Sequence, residues 1–401
     1  MKRIPKATVI SLLSTVGFFG IFSTTISKNP VLPLFLKSMQ AGTDVIGTIS
    51  AISPLAGILF SFPVGLLADR LGKKRLLLVS ASVFLLGPLF YLFVGNPWWL
   101  IPVRFFHGIA TAILGPVSSA LILSEYRETK GEKLGLYSSA TLVGRTLAPI
   151  LGGAILSVFA SLSGGWNYRL VYVAAFLLAV PVFILSLLMP DDGSAGSGIG
   201  KVTPGDFGRS LLAFVTNGRL LGTSLVEMAT YFTYGAFETY LPLHLQGKGL
   251  PPYQIGFIFS LQILAIALSK PLFGRLSDRV DRRFQILAGI VVLGGSFALI
   301  PVVSGVAAAT AIGIVFGLGL SFSTVATSTY VSDVTAAESI GASMGALSSI
   351  MDIGQSMGPF VIGIVIQAST MATGFLADFG VCLACAAAFA VLNLSFGKRA
   401  A

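Results

Sequence analysis

The sequence predicts an all-α membrane protein of twelve transmembrane helices in two pseudo-symmetric six-helix bundles, and three observations carry that expectation. Of its 401 residues, 54% are hydrophobic and only 10% are charged, against roughly 25% charged in a soluble domain. The apolar residues gather in stretches of about 20, each long enough to cross a ~30 Å hydrocarbon layer. The third is a charged, glycine-punctuated run, Gly65-Leu66-Leu67-Ala68-Asp69-Arg70-Leu71-Gly72-Lys73-Lys74-Arg75, which returns as Gly274-Arg275-Leu276-Ser277-Asp278-Arg279-Val280-Asp281-Arg282-Arg283. Placing Gly65 on Gly274 also places Asp69 on Asp278 and Arg70 on Arg279, so a membrane unit is duplicated. The apolar stretches show no period-2 alternation, and lipid offers no partner to an open backbone, so they are helices rather than barrel strands.

Taken in order, residues 1–6 form a basic tail, and span 1 is predicted over 7–36, through Pro30 and Pro33. It is too long for the apolar core of a cleavable signal. Span 2 covers 45–68, with the charged signature closing the turn to span 3 at 76–94. Span 4 covers 98–124, and the charged loop 125–133 leads to spans 5 and 6 at 135–160 and 170–189. Asp191-Asp192-Gly193-Ser194-Ala195-Gly196-Ser197-Gly198 has the composition of a flexible linker, and 207–215 suits a short interfacial helix. Spans 7 to 12 follow at 220–245, 253–276, 284–303, 307–331, 340–366 and 374–394. The expected domains are an N-terminal bundle (1–190), a cytoplasmic linker (191–218) and a C-terminal bundle (219–401).

A net charge of +10 would suit a nucleic-acid partner, but the basic residues sit in short loops between spans. Lys2, Arg3, Lys6, Arg70, Lys73, Lys74, Arg75, Arg127, Lys130 and Lys133 share one side with Lys201, Arg209, Arg219, Arg275, Arg279, Arg282, Arg283, Lys398 and Arg399. Lys28, Lys37, Arg169 and Lys248 occupy the other. The first side is therefore the cytoplasm, with both termini and the linker on it, in a multi-pass protein of the plasma (inner) membrane. Nucleic acid is excluded as a partner. Cys382 and Cys385 lie a turn apart in an apolar span, far short of the four ligands of a structural zinc site, and read as small apolar residues.

The repeat reaches beyond the loops. Leu32-Pro33-Leu34 matches Leu241-Pro242-Leu243, Gly108 falls on Gly317, and Gly144 and Pro149 fall near Gly354 and Pro359. With these residues assembled, the whole chain resembles the major facilitator superfamily. Residues 65–75 match that family's cytoplasmic motif between spans 2 and 3. Arg104-Phe105-Phe106-His107-Gly108 resembles its span-4 motif, with His107 where glutamine is usual. Gly144-Arg145-Thr146-Leu147-Ala148-Pro149-Ile150-Leu151-Gly152-Gly153 resembles the span-5 motif of its drug–proton antiporter branch, with Ala148 replacing a glycine, and residues 354–363 give a looser second copy.

The resemblance implies alternating access, in which two bundles rock about a site near the midplane. It makes Gly65, Asp69, Arg70, Gly72, Gly274, Asp278 and Arg279 a cytoplasmic gate. Gly65 permits close helix approach and Gly72 a tight turn. Asp69 is expected at the start of span 11, near Ser339 and Ile340, where open N–H groups favour an anion. Arg70 is expected at Glu125, Asp278 at the start of span 5, and Arg279 at Asp333. Lys73, Lys74 and Arg75 read as topogenic charge. Gly144, Pro149 and Gly153, with Gly354 and Pro359, present flat, bendable surfaces, through which spans 5 and 11 could pack on each other; generic helix packing suits the same residues equally.

An ionisable group deep in a span is a functional candidate, because its burial is costly. Glu227, Tyr231, Tyr234 and Glu238 in span 7 follow spacings of four, three and four, which put them on one helical face. A carboxylate that holds a proton in one state and releases it in another is what proton coupling requires, and Glu227 is the first candidate, with Asp352 in span 11 the second. Arg104 is placed to pair with Glu238, and Arg145 to meet Glu227, Asp352 or an anionic substrate. Lys270 lies a turn from Gly274 and reads as snorkelling to the cytoplasm. His107 titrates in a useful range and suits a proton relay or a packing role equally. Phe18, Phe19 and Phe22 in span 1, with Tyr231, Phe232 and Phe237 in span 7, could wall an apolar cavity.

The first functional reading is proton-coupled export of a small amphipathic compound by a secondary transporter. The alternative keeps the fold and imports a small polar metabolite, a sugar or an organic anion, held by Arg145 and Arg104. A third is a membrane scaffold or receptor without transport, whose signature would be a degraded loop motif or an absence of buried charge; the sequence has neither. No nucleophile–base pair, metal cluster or phosphate loop argues for an enzyme. No cofactor or metal is expected, a proton gradient is the expected energy source, and the working unit is expected to be a monomer in the lipid bilayer.

Overall fold

A computed structural model describes residues 6–126, 128–190, 205, 208–209, 212, 214, 216–335 and 340–394, without the side chains of residues 6, 7, 62, 65–70, 341, 342 and 394. The linker at 191–198 lies outside them. Span 1 is two helices rather than one, α1 (Lys6–Ile26) and α2 (Val31–Ser38). Pro30, which has no N–H to donate, stands as the N-cap of α2. Spans 2 to 6 are α3 (Thr43–Leu71), α4 (Lys73–Leu92), α5 (Leu100–Glu125), α6 (Lys130–Val158) and α7 (Trp166–Leu188). Spans 7 to 12 are α8 (Gly218–Gly247), α9 (Pro252–Ser277), α10 (Arg282–Leu299), α11 (Val306–Val334), α12 (Ile340–Ala368) and α13 (Met371–Leu394). Unlike span 1, its repeat partner α8 runs unbroken through Pro242.

Among the described residues, 11 segments are long and apolar enough to cross a membrane. The remaining span, α8, has ample length at 30 residues, and its polar stripe sets it apart. Of the helix expected over 207–215, the described Gly208, Arg209, Leu212 and Phe214 are helical, and Phe214 is buried with Leu220, Val331, Ala346 and Leu347.

The chain divides into two compact units. The first gathers Met1–Ala41, Ile52–Lys201 and Pro251–Ser260; the second gathers Gly42–Ala51, Val202–Leu250 and Leu261–Ala401. In the first, α1 packs on α6 and α7, and α4 on α5 and α7. Apolar burial does not hold helices together within lipid, so close packing must, and glycines supply it. A Cβ on Gly144 would meet the carbonyl of Phe18 on α1, and one on Gly153 the carbonyl of Pro252 at the start of α9.

In the second unit α8 packs on α12 and α13, and α10 on α11 and α13. Gly354 and Gly358 of α12 lie against the carbonyls of Met228 and Phe232, and a Cβ on Gly235 of α8 would stand 2.6 Å from the Gln355 carbonyl. The Tyr240 hydroxyl donates to the carbonyls of Pro359 at 2.5 Å and Thr43 at 3.1 Å. The α6 surface meets α1 and the start of α9, and the α12 surface meets α8 and the start of α3.

Candidate functional site

Helix α8 is rich in hydroxyl residues, and several satisfy themselves locally: Thr223, Ser224 and Thr239 each bond the carbonyl four residues back. The acids of α8 instead take partners from other helices, Glu238 from α12 and Glu227 from α11. The Glu227 side chain is 3% exposed, and the Thr327 hydroxyl of α11 donates to its Oε2 at 2.6 Å. Beside it lies a cavity of about 350 Å³, lined by Glu227 and Tyr231 of α8, Lys270 of α9, Thr324, Val325, Ser328 and Thr329 of α11, and Met344, Leu347, Ser348 and Met351 of α12. That volume is within the usual ~300–1,000 Å³ of a small-molecule site. One acid and one amine sit among hydroxyls and adaptable methionines.

The stripe on α8 divides. Glu227 and Tyr231 line the cavity, whereas Tyr234 and Glu238 are buried in helix packing. Tyr231 meets Tyr234 edge-on, and the Tyr234 ring faces Phe316 at 6.5 Å. Glu238 accepts from Gln355 Nε2 at 3.2 Å. Asp352 is half-buried on α12, directly after Met351 of the lining. Phe237 is outside the Glu227 cavity lining; it is fully buried with its ring centroid 3.8 Å from that of Phe316, and Phe232 is also buried. Lys270, expected to snorkel to the cytoplasm, is exposed and also lines the cavity with Glu227.

In the first unit Arg104 is 1% exposed beside Tyr91, Tyr172 and His107, with its Nε and Nη2 unpartnered among the described residues. His107 Nδ1 is 3.4 Å from the Tyr91 hydroxyl, and Tyr91 stacks on Tyr172 at 4.2 Å. Phe18 is half-buried and meets buried Phe22 edge-on at 5.6 Å, while Arg145 is exposed on α6.

One buried acid escaped the sequence reading. Asp378 of α13 is 0% exposed and accepts from the Thr233 hydroxyl of α8 at 2.7 Å. A lone aspartate inside an apolar span is itself a signal.

With that geometry in hand, a family model described as Major Facilitator Superfamily matches residues 12–253 and again 223–398. The chain belongs to this superfamily. It is a multi-pass membrane transporter of small molecules and not an enzyme. An uncharacterized MFS-type transporter of Methanocaldococcus jannaschii is 22% identical over 92% of this chain and 89% of its own length. The multi-drug resistance efflux pump PmrA of Streptococcus pneumoniae is 25% identical over 68% of this chain and 69% of its own. The multidrug transporter MdfA of Escherichia coli is 26% identical over 67% and 65%. Among solved structures, a point mutant of the nucleoside transporter NupG superposes with TM-score 0.81 at 16% identity, covering 96% of this chain and all of that one. A bacterial homolog of the human lysosomal transporter Spinster gives 0.80 at 16% identity, covering 98% of each chain.

The superfamily's loop motif has the backbone of Gly65 within α3 and Gly72 at φ +85°, a single-residue joint between α3 and α4 that suits glycine. The side chains of Asp69 and Arg70, and Ser339, lie outside the described residues. Glu125 is exposed at the end of α5, where the neighbouring Ser124 receives Lys73 Nζ at 3.2 Å, a tie beyond mere topogenic charge. In the second copy Gly274 lies in α9, and both Asp278 and Arg279 are exposed. The partner of Asp333 is Arg282 rather than the expected Arg279, and Arg282 also stands 3.9 Å from Asp278. The register explains this: α9 ends at Ser277, so Arg279 falls in the turn, while Arg282 opens α10. Asp281 caps α10 by accepting from the Arg283 N–H at 2.9 Å. The hydrogen bond from the Arg283 side chain, helped by its charge, holds the Asp281 carboxyl below the usual aspartate range. Gly144, Pro149, Gly153, Gly354 and Pro359 are all buried. No cluster of three or more metal-ligating side chains occurs among the described residues.

Proposed function

We propose that this transporter exports a small amphipathic compound in exchange for protons, by alternating access. The observation that carries the reading is the Glu227 cavity, in which a carboxylate with a single hydroxyl donor shares a small-molecule-sized space with Lys270, Tyr231 and two methionines. A cationic amphiphile and a proton would compete for Glu227, so loading one releases the other, and that competition makes the exchange obligatory. Lys270 supplies a counter-charge when Glu227 is empty of both. The relative PmrA supports export by its name, an efflux pump, and MdfA, named a multidrug transporter, supports an amphipathic cargo. The basic loops put both termini and the linker in the cytoplasm of a plasma-membrane protein, which leaves Glu227 in the cytoplasmic half of α8. The proton gradient is the energy source, with no bound cofactor, and the monomer is the working unit.

A second reading has one observation in its favour. Lys270 among the hydroxyls of Thr324, Ser328, Thr329 and Ser348 would also hold a polar or anionic metabolite for uptake. Proteoliposomes with an imposed pH gradient separate the two. Movement of ethidium, a lipophilic cation, against the proton flow supports export; movement of a solute with the protons overturns it.

A further inference from the structure

The mechanism above leaves Asp378 unused, although its surroundings are unusual for an aspartate. Its Oδ2 accepts from Thr233 Oγ1 at 2.7 Å, and Cys382 Sγ lies 3.1 Å from the same hydroxyl. Since that hydroxyl has one hydrogen, the three groups form one chain, which runs thiol to hydroxyl to carboxyl when Oδ2 only accepts and in reverse when Oδ2 carries a proton. Asp378 Oδ1 is buried and has no partner among the described residues.

No counter-charge among the described residues faces this acid. On α13 the titratable neighbours are Cys382 and Cys385. On α8, Glu227 and Glu238 are turned to Thr327 and Gln355, and His244 packs on Phe375 about 16 Å along the axis from Thr233. Helix α10 presents Gly294 to Cys382, with Arg283 about 16 Å away along the helix. Helix α12 touches α13 where Ile362 and Ile366 meet Gly374, about 15 Å along from its one acid, Asp352. An ionised carboxylate here would have one hydroxyl donor and no cation, an arrangement that an apolar interior penalises heavily. The neutral acid avoids that penalty.

We propose that Asp378 is a second proton-binding site, filled in this conformation, and that the Thr233 hydroxyl ties its occupancy to the position of α8. When α8 shifts against α13 the hydroxyl withdraws and water enters. The carboxylic O–H bond then breaks, with the proton passing to water. Glu227 rides on the same helix, so one movement acts on both acids. Counting this proton in the transport cycle rests on the export reading; the site itself does not.

Infrared titration of the full-length chain in lipid vesicles tests the site. The expected result is the carbonyl band of a neutral carboxylic acid at neutral pH, absent in Asp378→Asn and retained in Glu227→Gln. The band should shift on exchange into heavy water, change frequency in Thr233→Val, and fade reversibly on alkalinisation. A spectrum at neutral pH that Asp378→Asn leaves unchanged would mean an ionised group and overturn the proposal. A band that neither exchanges nor titrates before unfolding would mean a sealed structural acid and overturn it equally. Should Asp378→Asn fail to fold, an unshifted band in Thr233→Val would decide against it. If ethidium is not moved by the wild type while the band titrates, the export reading falls and the site stands.

Discussion

Glu227 and Lys270 reach one cavity from different helices, and only the first was legible as a site residue. Glu227 stood out because its spacing to Tyr231, Tyr234 and Glu238 repeats a helical period. Lys270 sits a turn from a basic loop, so hydropathy alone could not tell a cavity lining from a snorkelling amine. Asp378 was hidden for a related reason: its partner Thr233 lies on another helix, and no local pattern announces the pair. Glu227→Gln is expected to reduce pH-gradient-driven ethidium movement in proteoliposomes to background and to weaken ethidium counterflow without a gradient, because the cation loses its carboxylate. At the partly exposed Arg282–Asp333 pair, Arg282→Ala and Asp333→Ala should cost similar, small amounts of stability, about 0.2–1 kcal/mol. The double variant should be no worse than either single one, and Arg279→Ala should be near neutral. A double-mutant cycle in thermal stability checks this pairing.

Helix positions were read from hydropathy to within a few residues, because a membrane span is set by length and polarity. The break in span 1 was not read, since its residues stay apolar through Pro30 and only the backbone changes. Nor was the choice of packing partners, which depends on which carbonyl each glycine meets. Gly358→Ala would place a methyl on the Phe232 carbonyl of α8, and overpacking of this kind costs about 1–3 kcal/mol, readable as an earlier loss of monodisperse protein in a thermal scan. At the start of α10, Asp281→Ala removes a cap worth about 0.5–2 kcal/mol. Because the folded carboxyl is held low by Arg283, its contribution is present above the ordinary aspartate pKa of about 3.9. It is lost as the pH falls through the folded value. The difference in melting temperature between wild type and Asp281→Ala should therefore narrow in acid, to a modest extent for a half-exposed group.

The twelve-helix architecture followed from composition and from the repeat of residues 65–75 at 274–283. The loop motif is proposed to steady a state of the whole molecule rather than to handle cargo. Asp69→Asn is therefore expected to lower ethidium transport while leaving membrane insertion normal, measured as flux per inserted protein. Unchanged flux would remove the gate from the mechanism.

The polarity of α8 bears on how the chain is made as well as on how it works. Acidic residues near a helix centre oppose entry into lipid by about 2.5–3.5 kcal/mol each on insertion scales, and α8 carries two. Its close partners, α12 and α13, are synthesised well after it. A nascent chain ending just after α8 should therefore leave this helix outside the bilayer, and extension through α13 should draw it in. A reporter of sidedness in the loop after Gly247 would record the late insertion.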